Sequence, residues 1–182
     1  IQTLAVRKNF FQFFSYKLAE GNPAQVLVDD HSIVLSRSCA NRLFGKEPAL
    51  GKVLELNMPD AKENSNQKFT VTGIMEDIEN SLLKESTEAV IPYENISELN
   101  ATISLTDGMM GNATSALVFF RTAKGTDLNT KANDILSYLK DCWWIYNRGI
   151  FKEVQFVPYN QFYFHTETPS GSCLLYTSDA AD

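Results

Sequence analysis

The chain has 182 residues, 44% of them apolar and 21% charged, with a formal net charge of −6. That is enough for one domain or two small lobes with a hydrophobic core. The 16 Lys and Arg are scattered, without the basic face that nucleic acid requires, and no apolar run approaches the ~20 residues that cross a bilayer as a helix.

In chain order, residues 1–6 (IQTLAV) read as a strand, and Asn9 can cap a short aromatic helix over Phe10–Phe14. Residues 15–18 are extended. Glu20-Gly21-Asn22-Pro23 is a turn by composition, and residues 23–27 form one helical turn, since proline is tolerated at the first helical position. Asp29 and Asp30 break the chain before an apolar strand, Ser32–Ser36. A helix over Arg37–Phe44 follows, with Ser36 as its N-cap and Gly45 as its left-handed stop. Pro48 and Gly51 turn the chain into a strand over 53–56, and a solvated hairpin loop covers 57–67. Residues 68–75 alternate, which places Phe69, Val71 and Met75 on one face and Thr70 and Thr72 on the other. Gly73 interrupts the run and predicts a bulge or a close backbone approach.

Residues 81–88 are polar and carry no periodicity. Residues 89–93 (AVIPY) make a short strand that Pro92 ends or holds at an edge, and 96–113 is loop-rich. A strand over 115–122 (SALVFFRT) precedes the Lys124-Gly125 turn. Thr126 or Asp127 then caps a helix whose Leu128, Ala132, Ile135, Leu139 and Cys142 form one apolar stripe. Strands over 154–157 and 162–165 follow. A one-striped helix buries that stripe against a sheet or another helix, so the C-terminal third reads strand, helix, strand. The last ten residues, 173–182 (CLLYTSDAAD), are what one frame of a transposase-type sequencing adapter encodes. They are read as an adapter artefact and set outside the fold, which leaves Cys39 and Cys142 and a charge of −4 (16 basic minus 20 acidic).

The sequence offers little catalytic vocabulary. His31 and His165 lie in unrelated contexts, short of the several closely spaced ligands of a zinc site. Cys39 and Cys142 have no nearby base and read as structural thiols. The carboxylates of Asp29-Asp30, Glu76-Asp77-Ile78-Glu79 and 85–88 match no calcium loop and read as solvated charges. Neither Gly-rich phosphate motif occurs, so no nucleotide site is expected. Asn95, Asn100 and Asn112 begin N-x-[ST] triplets that read as composition. No catalytic, cofactor or metal residue is assigned, and the chain is expected not to be an enzyme. Taken together with Phe13, the residues Phe10, Phe11 and Phe14 cannot all face one side of their helix, and Met109 and Met110 suit adaptable surfaces. With Trp144, they are the candidates for partner or inter-lobe contacts, beside ordinary core packing.

Several motifs occur in a specific order. Residues 9–23 read NFFQFFSYKLAEGNP. After the Ser32–Ser36 strand come S-x-x-x-A-x-x-L-F-G, P-x-x-G-K-x-L and a strand ending V-x-G-I. Val90-Ile91-Pro92-Tyr93, then LVFFRTAKG at 117–125, then VPYNQFYFH at 157–165 complete the series. In this order they resemble the extracytoplasmic core domain of MacB-like ABC transporter permeases, the family that includes FtsX-like and lipoprotein-releasing permeases, in the style of Bacteroidetes sequences. Tyr159 stands where the family pattern has Leu, and Gln161-Phe162 where it has Asp-Ile.

The resemblance implies an α+β, two-lobed domain. A porter-like strand-helix-strand lobe, residues 1–8 and 113–168, would be N-terminally truncated, with an unpaired edge near 115–122. An inserted mixed α/β lobe of the Sabre type would span 9–112. The implied function is mechanical: passing ATP-driven motion to substrate export or to lipoprotein or peptide release at the periplasmic face of the inner membrane. The implied partners are a cytoplasmic ATP-binding subunit reached through the parent's transmembrane helices, a second permease copy in a dimer, and a periplasmic or outer-membrane protein. The alternatives are a periplasmic ligand- or peptide-binding module without a transport role and, behind it, a small hydrolase.

Overall fold

Five consecutive buried residues, Ser32–Ser36, form the strand on which the first part of the chain is assembled. The computed structural model describes residues 1–63, 66–78, 86–99, 118–159 and 172–179, with backbone alone for 97–98 and 172–179. Two units, Ile1–Ile103 and Ser104–Asp182, are each compact. In the first, the elements are β1 (Thr3–Val6), α1 (Phe10–Phe14), β2 (Leu18–Glu20), β3 (Ser32–Ser36), α2 (Arg37–Phe44), β4 (Val53–Asn57), β5 (Asn66–Met75), β6 (Ala89–Pro92) and α3 (Ile96–Leu99). In the second they are β7 (Phe119–Thr122), α4 (Ala132–Cys142), α5 (Trp144–Asn147), β8 (Glu153–Pro158) and β9 (Ser172–Asp179).

The first unit is a mixed sheet in the order β1-β6-β3-β5-β2, with β4 also pairing β5. β1 runs parallel to β6, and β3 parallel to β5; the other pairs are antiparallel. Successive side chains of a strand point to opposite faces, and β3 uses both. Ile33 and Leu35 enter a cluster with Cys39 and Ala40 of α2, Phe69, Val71 and Leu99. Val34 enters a second cluster with Phe10 and Phe11 of α1, Val26, Leu27 and Val90. The sheet is thus covered on both faces, and β3 is its centre.

β5 serves both faces because it is irregular at one point. Its register against β3 steps from Ile33↔Val71 to Val34↔Gly73, which leaves Thr72 as the extra residue of a bulge. The Thr72 hydroxyl donates to the Val26 carbonyl. The bulge resets the alternation, so Phe69, Val71 and Ile74 lie in the first cluster and Met75 in the second. The uninterrupted alternation expected from sequence, with Met75 beside Phe69 and Val71, is corrected by that single residue. At the other end of β5 the open face is polar in register: Glu55 sits opposite Lys68, and the Asn57 amide donates to Asn66 Oδ1 at 3.0 Å.

Several local expectations hold and some shift. Ser36 accepts a hydrogen bond from the Cys39 amide, and Gly45 ends α2 at φ 63°. Asn9 begins α1 through its carbonyl, which accepts from the Phe13 amide; its side chain makes no cap. Tyr93 leaves the β6 strand and opens a 3₁₀ turn, Tyr93–Asn95. Residues 1–8, expected with 113–168, instead place β1 in the first sheet, and the first unit extends to Ile103 rather than beginning at residue 9 and ending at 112.

In the second unit, Asp127 caps a 3₁₀ turn, Leu128–Lys131, that leads into α4. The stripe residues Leu128, Ala132, Ile135 and Leu139 pack, half-buried, against Tyr146, Val154 and Phe156. Strand β8 is held at Phe156 by Asn129, whose amide donates to the Phe156 carbonyl at 3.1 Å and accepts from the Phe156 N–H at 3.0 Å. A side chain here satisfies backbone groups that a neighbouring strand would otherwise pair. The three strands are parallel in the order β7-β9-β8. Residues 173–179, set outside the fold on sequence grounds, therefore supply most of its middle strand, and β7 pairs that strand on one side while lying at the edge of the sheet. The expected strand at 162–165, and residues 115–117, lie outside the described residues.

Gly21 and Gly73 meet at the end of the antiparallel β2–β5 pairing. A Cβ on Gly21 would stand 2.7 Å from Val26 Cγ1 and 3.2 Å from Gly73 Cα, and Gly21 has φ +107°. Gly21→Ala is therefore expected to lower unfolding stability by about 1–3 kcal/mol, a backbone-strain effect, in urea titration of the whole chain. A change within a few tenths would contradict the close packing.

Candidate functional site

One group of polar and charged side chains in the first unit gathers around α2. This helix follows β3 directly because Ser36 both ends the strand and caps the helix. Its first turn therefore stands beside the C-terminal end of β5, which runs parallel to β3. Arg37 meets Glu76 in a two-point contact, Nε–Oε2 2.9 Å and Nη2–Oε1 2.7 Å. The Ser38 amide donates to Asp77 Oδ1 at 3.0 Å and its hydroxyl to Asp77 Oδ2 at 2.7 Å. A carboxylate at a helix N-terminus satisfies otherwise unpaired amides and suits the helix dipole. One turn further on, Arg42 Nη1 lies 2.7 Å from Glu88 Oε1. Glu88 also accepts from the Gln2 amide at 3.0 Å and lies 3.9 Å from the α-amino group of Ile1.

One short helix thus ties the end of β5, the approach to β6 and the approach to β1. The electrostatics follow from the contacts. The Ser38 hydroxyl holds the Asp77 carboxyl below its ordinary value, Arg37 does so for Glu76, and Arg42, then the Gln2 amide, for Glu88. The Cys39 thiol lies between the two arginines in sequence and is buried, and burial pushes its pKa up; Arg42 Nη2 rests 3.6 Å from its sulfur. Such a thiol is protonated and shielded, the opposite of a nucleophile. Each of these three carboxylates is engaged by a cation or a donor. Among the described residues no three His, Cys, Asp or Glu are grouped to hold a metal ion, and no helix is long and apolar enough to cross a membrane.

The residues singled out from sequence divide. Phe10 and Phe11 are buried in the second cluster, where they pack inside the first unit. Phe14 is half-buried beside them, its ring 5.2 Å from that of Phe10, which also stacks on Tyr16 at 5.3 Å. Trp144 is half-buried in α5 with the Arg148 guanidinium 5.5 Å over its ring. Met109 and Met110 lie outside the described residues. Asn95 is buried, and its amide donates to the Asp30 carbonyl at 3.0 Å, a bond that occupies the nitrogen of its N-x-S triplet. Glu76 and Asp77 are exposed and Glu88 is partly so, as solvated charges would be, but each also has a partner that the sequence did not show. Their partners lie 39 residues away for the first two, and only the fold brings them together.

The family model of the MacB-like periplasmic core domain matches residues 1–138, which takes in the whole first unit and runs into α4. The chain belongs to that family. A solved domain of a protein assigned as a permease of Porphyromonas gingivalis is similar to this MacB-like chain with a TM-score of 0.50 at 20% identity, over 79% of this chain and 55% of that one. The chain therefore spans about half the length of that relative, and the likeness is one of fold. The periplasmic region of MacB from Actinobacillus actinomycetemcomitans is similar with a TM-score of 0.37 at 21% identity, over 52% of this chain and 38% of that one. No curated protein is matched by the chain.

Two outcomes are expected of this MacB-like domain. Phe11→Ala removes a ring that is 2% exposed and lowers stability by about 3–5 kcal/mol, read by chemical unfolding; a loss below about 1 kcal/mol would place Phe11 outside the core. The second outcome concerns acid. Asp77, Glu76 and Glu88 are held below ordinary values of 3.8, 4.5 and 4.5. Their stabilisation is complete above those values and is lost as pH falls through the lower folded-state ones. The thermal midpoint therefore drops in acid, and Asp77→Asn lowers it more near pH 7 than near pH 3. An equal deficit at both pH values would remove the Asp77 charge from the explanation.

Proposed function

We propose that this chain is the extracytoplasmic part of an ABC transporter permease and that its role is mechanical. The supporting observation is the family match across residues 1–138. In this reading the first unit corresponds to the inserted Sabre-like lobe, and the strand-helix-strand of the second to the porter-like lobe. The parent's transmembrane helices connect the domain to a cytoplasmic ATP-binding subunit. The domain then passes the motion of that subunit to substrate export or to lipoprotein or peptide release, as part of a permease dimer facing a periplasmic or outer-membrane partner. It breaks no bond itself. The α2 constellation agrees with that role: its arginines and carboxylates neutralise one another and hold strands together, and burial raises the pKa of its one thiol.

A domain that passes on force must change the relative energy of two states of its parent, and it does so only through contacts that differ between them. A body covered on both faces of its sheet transmits displacement without deforming, because close-packed interiors are stiff. Removal of this domain from the full-length permease is expected to leave assembly with the ATP-binding subunit intact and to abolish export or release, measured in cells by co-purification and by substrate appearance outside the inner membrane. Normal transport by the truncated permease would overturn the proposal.

A further inference from the structure

The first and last strands of the first unit are neighbours and run in the same direction. β1 pairs β6 in parallel register, Thr3↔Ala89 to Val6↔Pro92. The chain enters the unit just before β1 and leaves it after β6, through α3. Tension between the entry and the exit therefore pulls β1 by its N-terminal end and β6 by its C-terminal end. In a parallel pair those ends lie at opposite ends of the ladder, so the two strands are drawn past each other along their length. Every bond of the ladder is then loaded at once. Pulling both strands from the same end would open the bonds one at a time.

The ladder is also lengthened at its loaded end. The Gln2 carbonyl accepts from the amides of Glu88 and Ala89 at 2.9 and 3.1 Å. The Gln2 amide donates to the Glu88 carboxylate, which Arg42 of α2 holds from the other side. On its inner side β6 is paired to β3, Val34↔Val90 and Leu35↔Ala89, and β3 is buried throughout. The strand that carries the load is thus paired to a strand that is buried throughout.

We propose that the β1–β6 pair is a shear clamp: it makes the first unit resist tension applied between its entry and exit far more strongly than tension applied from one end of the same two strands. This deepens the force-transmitting role and rests on that reading for its biological purpose, but the anisotropy is a property of the unit alone. The test is single-molecule stretching of the full chain carrying Cys142→Ser and Cys173→Ser, with one handle fused at the N-terminus. The second handle is attached through Asn100→Cys in one sample and through Ser86→Cys, just before the N-terminal end of β6, in the other. Forced rupture reads the unfolding rate along the pulled direction, and at matched loading rate the 1–100 direction is expected to rupture in one event at about twofold higher force or more than the 1–86 direction. Equal forces, a lower force for 1–100, or no discrete event in that direction would overturn the clamp. Loss of transport on domain removal would still stand in that case, so the two ideas fail separately.

Discussion

Everything in the first unit is arranged around a strand that cannot face water. All five residues of Ser32–Ser36 are buried, and burying each Val, Ile or Leu contributes roughly 1.5–3 kcal/mol. A strand apolar on both faces forces two covering layers. The chain supplies α2 with Ala49 and Leu99 on one side and α1 with Val26 and Leu27 on the other. The irregularities of the sheet answer to the same demand. Without the extra residue at Thr72, Ile74 and Met75 would each point to the wrong layer, since a one-residue shift exchanges the faces of a strand. The glycine contact at Gly21 and Gly73 lets β2 come close enough to pair β5 there.

Polar chemistry in this unit lies at the perimeter and holds ends. Exposed ion pairs contribute little singly, but those around α2 are placed where chain segments begin or finish: the end of β5, the approach to β6, the start of β1. Their value is positional. They fix the angle at which strands enter and leave a stiff core, which is what a body that passes on displacement requires. The second unit uses a similar device when Asn129 pairs with the backbone of β8 from outside the sheet.

What could be read from sequence was local. The β3 strand, the Ser36 cap, the Gly45 stop and the α4 stripe each depend on residues within a few positions of one another, and the periodicity or the cap residue announces them. The family was legible too, because its motifs are short and ordered along the chain. The ties of α2 were not legible: Arg37 and Glu76 stand 39 residues apart, and a carboxylate in a polar run looks solvated until the fold brings a guanidinium to it. The placement of β1 was missed for a related reason. Its side chains satisfy any sheet with one apolar edge, and only the pairing with Ala89–Pro92 decides which sheet that is. Phe10 and Phe11 were flagged by composition, but composition does not say whether an aromatic run faces a partner or its own core, and here it faces the core.

The central claim is that β1, β3, β5 and β6 form one cooperative body and not a core with a loosely attached first strand. Native-state hydrogen exchange of the whole chain measures this directly, because segments that open alone exchange below the global free energy. The account predicts that the ladder amides of β1 and β6 exchange only in the same opening as those of β3. Exchange of β1 through its own opening, about 2 kcal/mol or more below that of β3, would show that the entry strand detaches and would contradict it.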